Sequence, residues 1–298
     1  MIKNIINSIF TFFLFSIILI ALWKNISNNG PTDYVAKKYT LPKYSLNQIV
    51  PLGTDGYGHD YMVKFSIAFS NNLYNAFITT SVFIMVSIIF GLGIGFRPEK
   101  RYSGQDILSL NNLKRVYFDF CSFTTDAFQS VPILIVVLAG NLFFQRNLDN
   151  TNDSLFYTLI VVAVFSSPKL SNALGNHIKQ LNREEFILAT KASGVSIPSL
   201  IIKHILYYEA IGLIILQFVN FFFLTIMIEI FLGFFGKAGS KLSLGNLIGA
   251  DQVLYASWEF LPTFQWKLNL MFPLIFVLVL CVVVRWMAGR ILLLTEAQ

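Results

Sequence analysis

Charge is what this chain largely does without. Acids and bases together make up 13% of its 298 residues, and residues 5–23, 73–96, 127–144 and 210–228 contain none. A soluble domain needs an ionised surface to stay in water, so that class is excluded. Cysteine is scarce as well. Cys121 and Cys281 lie in or beside apolar runs with no CxxC and no histidine cluster near them. That removes a disulfide framework and a zinc site, and leaves two small apolar side chains. The three histidines, His59, His177 and His204, show no ligand spacing. No GxSxG elbow, no GxxxxGK[ST] phosphate loop and no cysteine and histidine pair placed as nucleophile and base occurs. These absences argue against an enzyme and against a cofactor or metal held by this chain.

What is present is apolar: 55% hydrophobic residues, 30 of the 298 being Phe, and a mean hydropathy of +0.64. A helix needs about 20 apolar residues to cross about 30 Å of hydrocarbon, and the four uncharged runs meet that length. Residues 155–168 are fewer, but their helix can continue past Lys169, whose ammonium reaches the interface on its own stem. Residues 268–284 end in the same way at Arg285 and Trp286. The expectation is an all-α integral membrane protein of about six transmembrane helices. The run at 5–23 follows a lysine as a secretory leader would, yet it lacks a small-residue cleavage site before Lys24 and is long enough to span, so it is expected to be a helix.

Orientation follows from the basic residues. The connector 97–115 carries Arg97, Lys100, Arg101, Lys114 and Arg115, whereas 24–72 spreads Lys24, Lys37, Lys38, Lys43 and Lys64 over a much longer stretch. The denser connector is expected in the cytoplasm. Six spans then place both termini and residues 182–207 in the cytoplasm, and connectors 24–72, 145–154 and 233–266 outside. The net charge of +6 is explained by this flanking of apolar runs and gives no reason to expect nucleic acid.

Within the spans, Gly91 and Gly95 of "GLGIG" form a GxxxG that lets two helix backbones approach, a packing signal more than a nucleotide loop, since no strand precedes it. Asp126 and Glu229 stand at the edges of apolar runs. A charge at full depth costs about 2.5–3.5 kcal/mol on insertion scales, so each should face water, a partner or the bundle interior; interfacial placement satisfies them most simply, and a substrate or proton role is the alternative.

One stretch interrupts the apolar pattern: "REEFILATKASGVSIPSLIIKHIL", residues 183–206. Asn182 can cap a helix, Glu184 and Glu185 suit its positive first turn, and Gly194 can take the left-handed conformation that ends it. Ser196 and Pro198 then open a second helix. The residues alone leave two readings open: an amphipathic connector lying on the bilayer, or an element that docks a partner.

The same stretch resembles the EAA loop of ABC transporter permeases, in the form carried by the C-type subunit of oligopeptide and dipeptide importers. That family pattern is close to "EYVEAARALGAS" followed by "RIIFRHILP", against "EFILATKASGVS" and "SLIIKHILY" here. Glu185, Ala189, Lys191, Ala192, Gly194, Ser196, Ile201, Ile202, His204, Ile205 and Leu206 fall in register. The departures are Leu188 for the family's glutamate, Thr190 for its second alanine and Tyr207 for its proline. Three further stretches agree in order. "PLGTDGYGHDYMVKF", with Gly53, Thr54, Asp55, Gly58 and Asp60, resembles the family's "PLGTDELGRDVLSRL", His59 replacing the arginine. "DAFQSVPILI", with Asp126 and Pro132, resembles "DTLLAIPSLL", and "EIFLGFFG" followed by "LSLGNLI" resembles the end of its fifth helix and its "SWGNML" turn. Asp55, His59 and Asp60 can also be drawn as an extracellular metal site, although turn formation and helix capping account for them.

The resemblance covers the chain from about residue 50 onward and implies a type I ABC importer permease fold. Residues 1–72 would be an N-terminal helix and extracytoplasmic segment, and 73–298 the permease domain with its coupling loop at about 182–207. It implies a non-catalytic subunit at the bacterial plasma membrane that forms, with a second permease subunit, the pathway for peptides brought by an extracytoplasmic solute-binding protein. Two ATPase subunits would use ATP and Mg; this chain would bind neither. Nickel chelates, antimicrobial peptides or peptide-conjugated sugars are alternative cargoes on the same chassis. An ion-coupled secondary transporter is a separate class; it is expected to show inverted repeats, broken helices and membrane-embedded acids, whereas the sequence has no convincing internal repeat and its acids stand at the edges of the apolar runs.

Overall fold

The computed structural model describes residues 43–45, 48–50, 52, 60–95, 112–147, 153–181, 184–185, 193, 210–235, 242–248, 271–280, 282–283, 286 and 289. They are mostly helical, with an antiparallel hairpin, β1 (Lys43–Ser45) with β2 (Gln48–Val50), in the register Lys43 to Val50, Tyr44 to Ile49 and Ser45 to Gln48. The helices are α1 (Tyr61–Gly95), α2 (Asn112–Gln129), α3 (Ile133–Asn147), α4 (Ser154–Ser166), α5 (Pro168–Leu181), α6 (Ile211–Phe234) and α7 (Met271–Leu280), with a helical turn at 244–248.

Three helical stretches among the described residues are long and apolar enough to cross a membrane: α1 at 35 residues, α4 with α5 at 28, and α6 at 24. The chain is built to reside in a membrane. As expected, the stretch that begins with α4 continues past Lys169 as α5, and Ser167 makes only a slight break. The expected span at 5–23 lies outside the described residues, and that at 268–284 is described only as α7 and a few residues beyond it.

Two expectations need correction. The run at 127–144 is not one straight helix: α2 and α3 meet at 89°. Pro132 has no N–H to give to Phe128, and its ring disfavours helical backbone at Val131, so the ladder stops. The Val131 N–H tightens onto the Phe128 carbonyl at 3.3 Å, and the Ile135 N–H restarts the ladder on Pro132 at 3.0 Å. Secondly, α1 starts twelve residues before residue 73, where the uncharged run begins. Asp60 sets that start. Its Oδ1 accepts the Met62 N–H at 2.9 Å and its carbonyl accepts the Lys64 N–H at 3.3 Å.

The described residues group into two compact units. The first, within Met1–Phe77, Phe143–Phe156 and Phe223–Trp286, has an aromatic core in which α7 packs on the start of α1. Phe65 meets Phe272 at 4.9 Å and Phe276 at 5.3 Å, and Phe69 meets Phe276 at 5.1 Å, each edge to face. In the second, within Ile78–Leu142, Tyr157–Phe222 and Met287–Gln298, the Phe83 and Phe221 rings stack at 4.1 Å, and those of Phe128 and Phe165 lie 4.5 Å apart.

The second unit also holds a seam of small residues. A methyl on Gly91 would stand 2.9 Å from Cβ of Leu174, one on Gly95 2.6 Å from Cβ of Ile178, and one on Gly175 2.8 Å from Cβ of Ile94. Only hydrogen fits at these positions, so α1 and α5 run nearly backbone to backbone. Gly93 faces α2 instead, where a methyl would meet Cys121 Sγ at 2.5 Å. Hydroxyls within the helices bond their own turns, as apolar surroundings demand: Ser87 to Phe83 at 2.6 Å, Thr125 to Cys121 at 2.7 Å and Ser171 to Ser167 at 2.8 Å.

Candidate functional site: a buried amide and carboxyl cluster

Three asparagines of α1, Asn71, Asn72 and Asn75, share one helical face by their spacing. Two of them hold one segment and the third reaches α6. Asn71 Nδ2 donates to the Leu242 carbonyl at 3.0 Å, and Asn72 Oδ1 accepts the Leu244 N–H at 3.3 Å, which fixes the backbone entering the turn at 244–248. Asn75 Nδ2 donates to Glu229 Oε1 of α6 at 2.9 Å. Ser243 Oγ caps the turn by accepting the Asn246 N–H at 3.1 Å.

Glycines allow the turn to sit this deep. A methyl on Gly233 would stand 2.7 Å from Cα of Gly245, and one on Gly245 would enter the Ile230 carbonyl. The turn therefore lies directly on the α6 backbone. Asn72 and Glu229 are each only 1% exposed.

Glu229 is thus a correction. It lies in the interior of the unit, not at an interface with water: Asn75 supplies a polar partner at depth, and the turn rests on the α6 backbone next to it, at Ile230 and Gly233. Its second oxygen, Oε2, has no hydrogen-bond partner, and neither has Asn72 Nδ2. One unmet acceptor and one unmet donor stand in a buried cluster, where an unsatisfied polar group is costly.

The other expected residues fall elsewhere. Asp126 and Pro132 are exposed at the α2 and α3 corner. Asn172 of α5 reaches that corner by donating to Gln129 Oε1 at 3.1 Å. Gly91 and Gly95 are in the α1 and α5 seam. Asp60 is fully buried at the head of α1, with Oδ2 unpartnered; burial raises its carboxyl above the ordinary carboxylate range, and the Met62 and Val63 amides pull less strongly the other way. Gly53, Thr54, Asp55 and Gly58 lie outside the described residues. So do Ala189, Lys191, Ala192, Gly194, Ser196 and His204. Of the 182–207 stretch, Glu184, Glu185 and Ser193 are described, all exposed, and the Glu184 N–H bonds the Leu181 carbonyl at 3.0 Å as the chain leaves α5. Among the described residues no group of three or more His, Cys, Asp or Glu is placed to hold a metal ion.

The three asparagines were absent from the expected site. The signal was there: "SNNLYN" puts three amides on one face at the mouth of an apolar run, and membrane helices keep such groups only where they find partners.

No protein-family model matches the sequence, and no curated protein does. Among solved structures, two inward-facing forms of the MetNI methionine ABC transporter are similar to this chain. A chain of the CY5 native crystal form gives a TM-score of 0.49 at 17% identity, over 76% of this chain and 94% of that one. A chain of the CY5 selenomethionine-soaked form gives 0.47 at 17% identity, over 75% and 94%. Likenesses of that size carry no argument about activity, so the functional reading rests on this chain's own residues.

Proposed function

We propose that this chain is a membrane-spanning permease subunit of an ATP-driven, binding-protein-dependent importer of peptides. The observation that carries the reading is the register of residues 183–206 with the coupling loop of such permeases, supported by the three further stretches that agree with the same family in chain order. The exposure of Glu184 and Glu185 directly beyond α5 is compatible with it.

In this reading Ala189, Ala192 and Gly194 sit in a groove of a cytoplasmic ATPase subunit, and closure of the ATPase pair on ATP and Mg displaces them. Short stiff helices suit that task, since a displaced element must pass the movement on. Glu185, Lys191, Ser196 and His204 flank the contact. The 24–72 segment, with its Gly53 to Asp60 stretch, and the glycine-rich 233–250 loop face the solute-binding protein, and both termini are cytoplasmic. A second permease subunit completes the pathway.

The test is purification of the full chain from its native membrane in detergent. An ATPase and a second permease should accompany it, and cysteines placed at Ala192 should crosslink to the ATPase. Crosslinks that reach only lipid, or labelling of that loop from the cell exterior, would overturn the reading. Identifying the solute-binding protein and what it binds decides between peptides, nickel chelates, antimicrobial peptides and peptide-conjugated sugars.

One observation favours a second reading. Glu229 is an interior carboxyl on a spanning helix, which is the feature expected of an ion-coupled secondary transporter. Uptake that survives ATP depletion and collapses with an ionophore would establish it.

A further inference from the structure

Glu229 is the sole ionisable residue of α6. A carboxylate offers about four acceptor positions, and here one hydrogen bond, from Asn75, is met while Oε2 has none. Among the described residues, the elements packed against it bring no countercharge. The turn supplies Ser243 and Asn246, and α1 supplies amides, with Lys64 about three turns before Asn75 and Tyr74 exposed. α7 has no ionisable residue. Glu229 makes no ion pair with Lys64 or Arg146, and the described carboxyl groups of that unit, Asp60 and Asp153, carry the same sign of charge. A charge held this way is poorly solvated; a neutral carboxylic acid is not.

The turn rests on the α6 backbone beside Glu229, at Ile230 and Gly233, and is seated there by the Asn71 and Asn72 bonds. Charging the carboxyl and lifting the turn are therefore linked, each favouring the other. The seated state already leaves Asn72 Nδ2 unmet, so the contact is poised more than locked.

We propose that Glu229 is a proton-binding site within the membrane, and that its protonation holds the 242–248 turn against α1 and α6. A proton taken from water makes the side chain a neutral acid and keeps the turn seated. Loss of that proton to water leaves a carboxylate that becomes solvated only when the turn lifts, so raising the pH favours release of the turn. The inference is independent of what drives transport.

The test uses the full chain in lipid vesicles with Cys121→Ala, Cys281→Ala and Leu242→Cys, which retains the backbone carbonyl bonded by Asn71. Labelling by a water-soluble maleimide is measured over a pH series, with and without Glu229→Gln. The ratio of the two rates cancels the titration of the thiol itself. It should be flat at acid pH and then rise by about tenfold per pH unit through the titration of Glu229, because one proton is linked to one opening. A ratio flat at every pH overturns the proposal. Infrared difference spectra of the unsubstituted chain give a reading that needs no variant. A protonated carboxyl stretch present at acid pH and lost over the pH range in which labelling rises supports the proposal. Carboxylate bands throughout overturn it.

Discussion

Gly245 lies so close to Gly233 that a methyl group on Gly233 would stand 2.7 Å from Cα of Gly245. Because backbone and not a flexible side chain is in the way, the collision can be relieved only by moving the turn. Gly233→Ala should cost about 1–3 kcal/mol, as overpacking does, and should free the 242–248 segment. Amide hydrogen exchange of that segment checks this; unchanged protection would refute it.

The α1 and α5 seam predicts a rescue. Gly95→Ala should lower the thermal stability of the detergent-solubilised chain, since its methyl would meet Cβ of Ile178 at 2.6 Å. Adding Ile178→Ala trims the obstructing atoms beyond Cβ, including the Cγ2 that lies 2.7 Å away, so the double variant should lose less than the two single losses combined. A coupling of about 0.5–3 kcal/mol is the range for residues in contact. Additive losses would place Gly95 elsewhere.

Asp60 predicts a pH dependence with a definite sign. Its carboxyl is raised by burial above its ordinary value, so between that value and the raised one the folded chain holds more protons than the unfolded chain. Stability is then greatest below the ordinary carboxylate range and falls as pH rises through the raised value. Asp60→Asn keeps a capping oxygen without the charge and should flatten that slope. Asp60→Ala should lose about 1 kcal/mol with the cap. Thermal melts of the three forms over a pH series separate charge from cap.

Pro132→Ala restores the N–H whose absence ends α2, and the corner should partly straighten. Spin labels at Phe120 and Leu142, both exposed, lie about ten residues to either side of the break. From 1.5 Å per residue, the move from 89° toward a straight helix lengthens the separation by as much as roughly 10 Å. Pulsed dipolar distances measure it, and an unchanged separation would assign the bend to packing.

Hydropathy alone found α1, α4 and α6, because absence of charge over the width of a bilayer admits few other structures. Three features were not legible from it. α1 begins well before residue 73 because a cap at Asp60 decides where a helix starts, and uncharged length does not report caps. The corner at Pro132 was visible as a proline in an apolar run, but membrane helices carry prolines with and without sharp bends. The depth of Glu229 was illegible because its partner, Asn75, is 154 residues away. An edge position in sequence becomes interior only when a distant segment covers it. The GxxxG of Gly91 and Gly95 shows the reverse: small residues one turn apart already state that another backbone comes close, though not that it is α5.

The seam of Gly91, Gly95 and Gly175 also fixes how force travels in the second unit. Two helices separated by long side chains can slide while rotamers absorb the motion. Here no such cushion exists, since backbone rests on packed Cβ atoms along two turns. A push arriving at Glu184, just past the end of α5, is handed to the second half of α1 without slack, as by two bars welded along their edges.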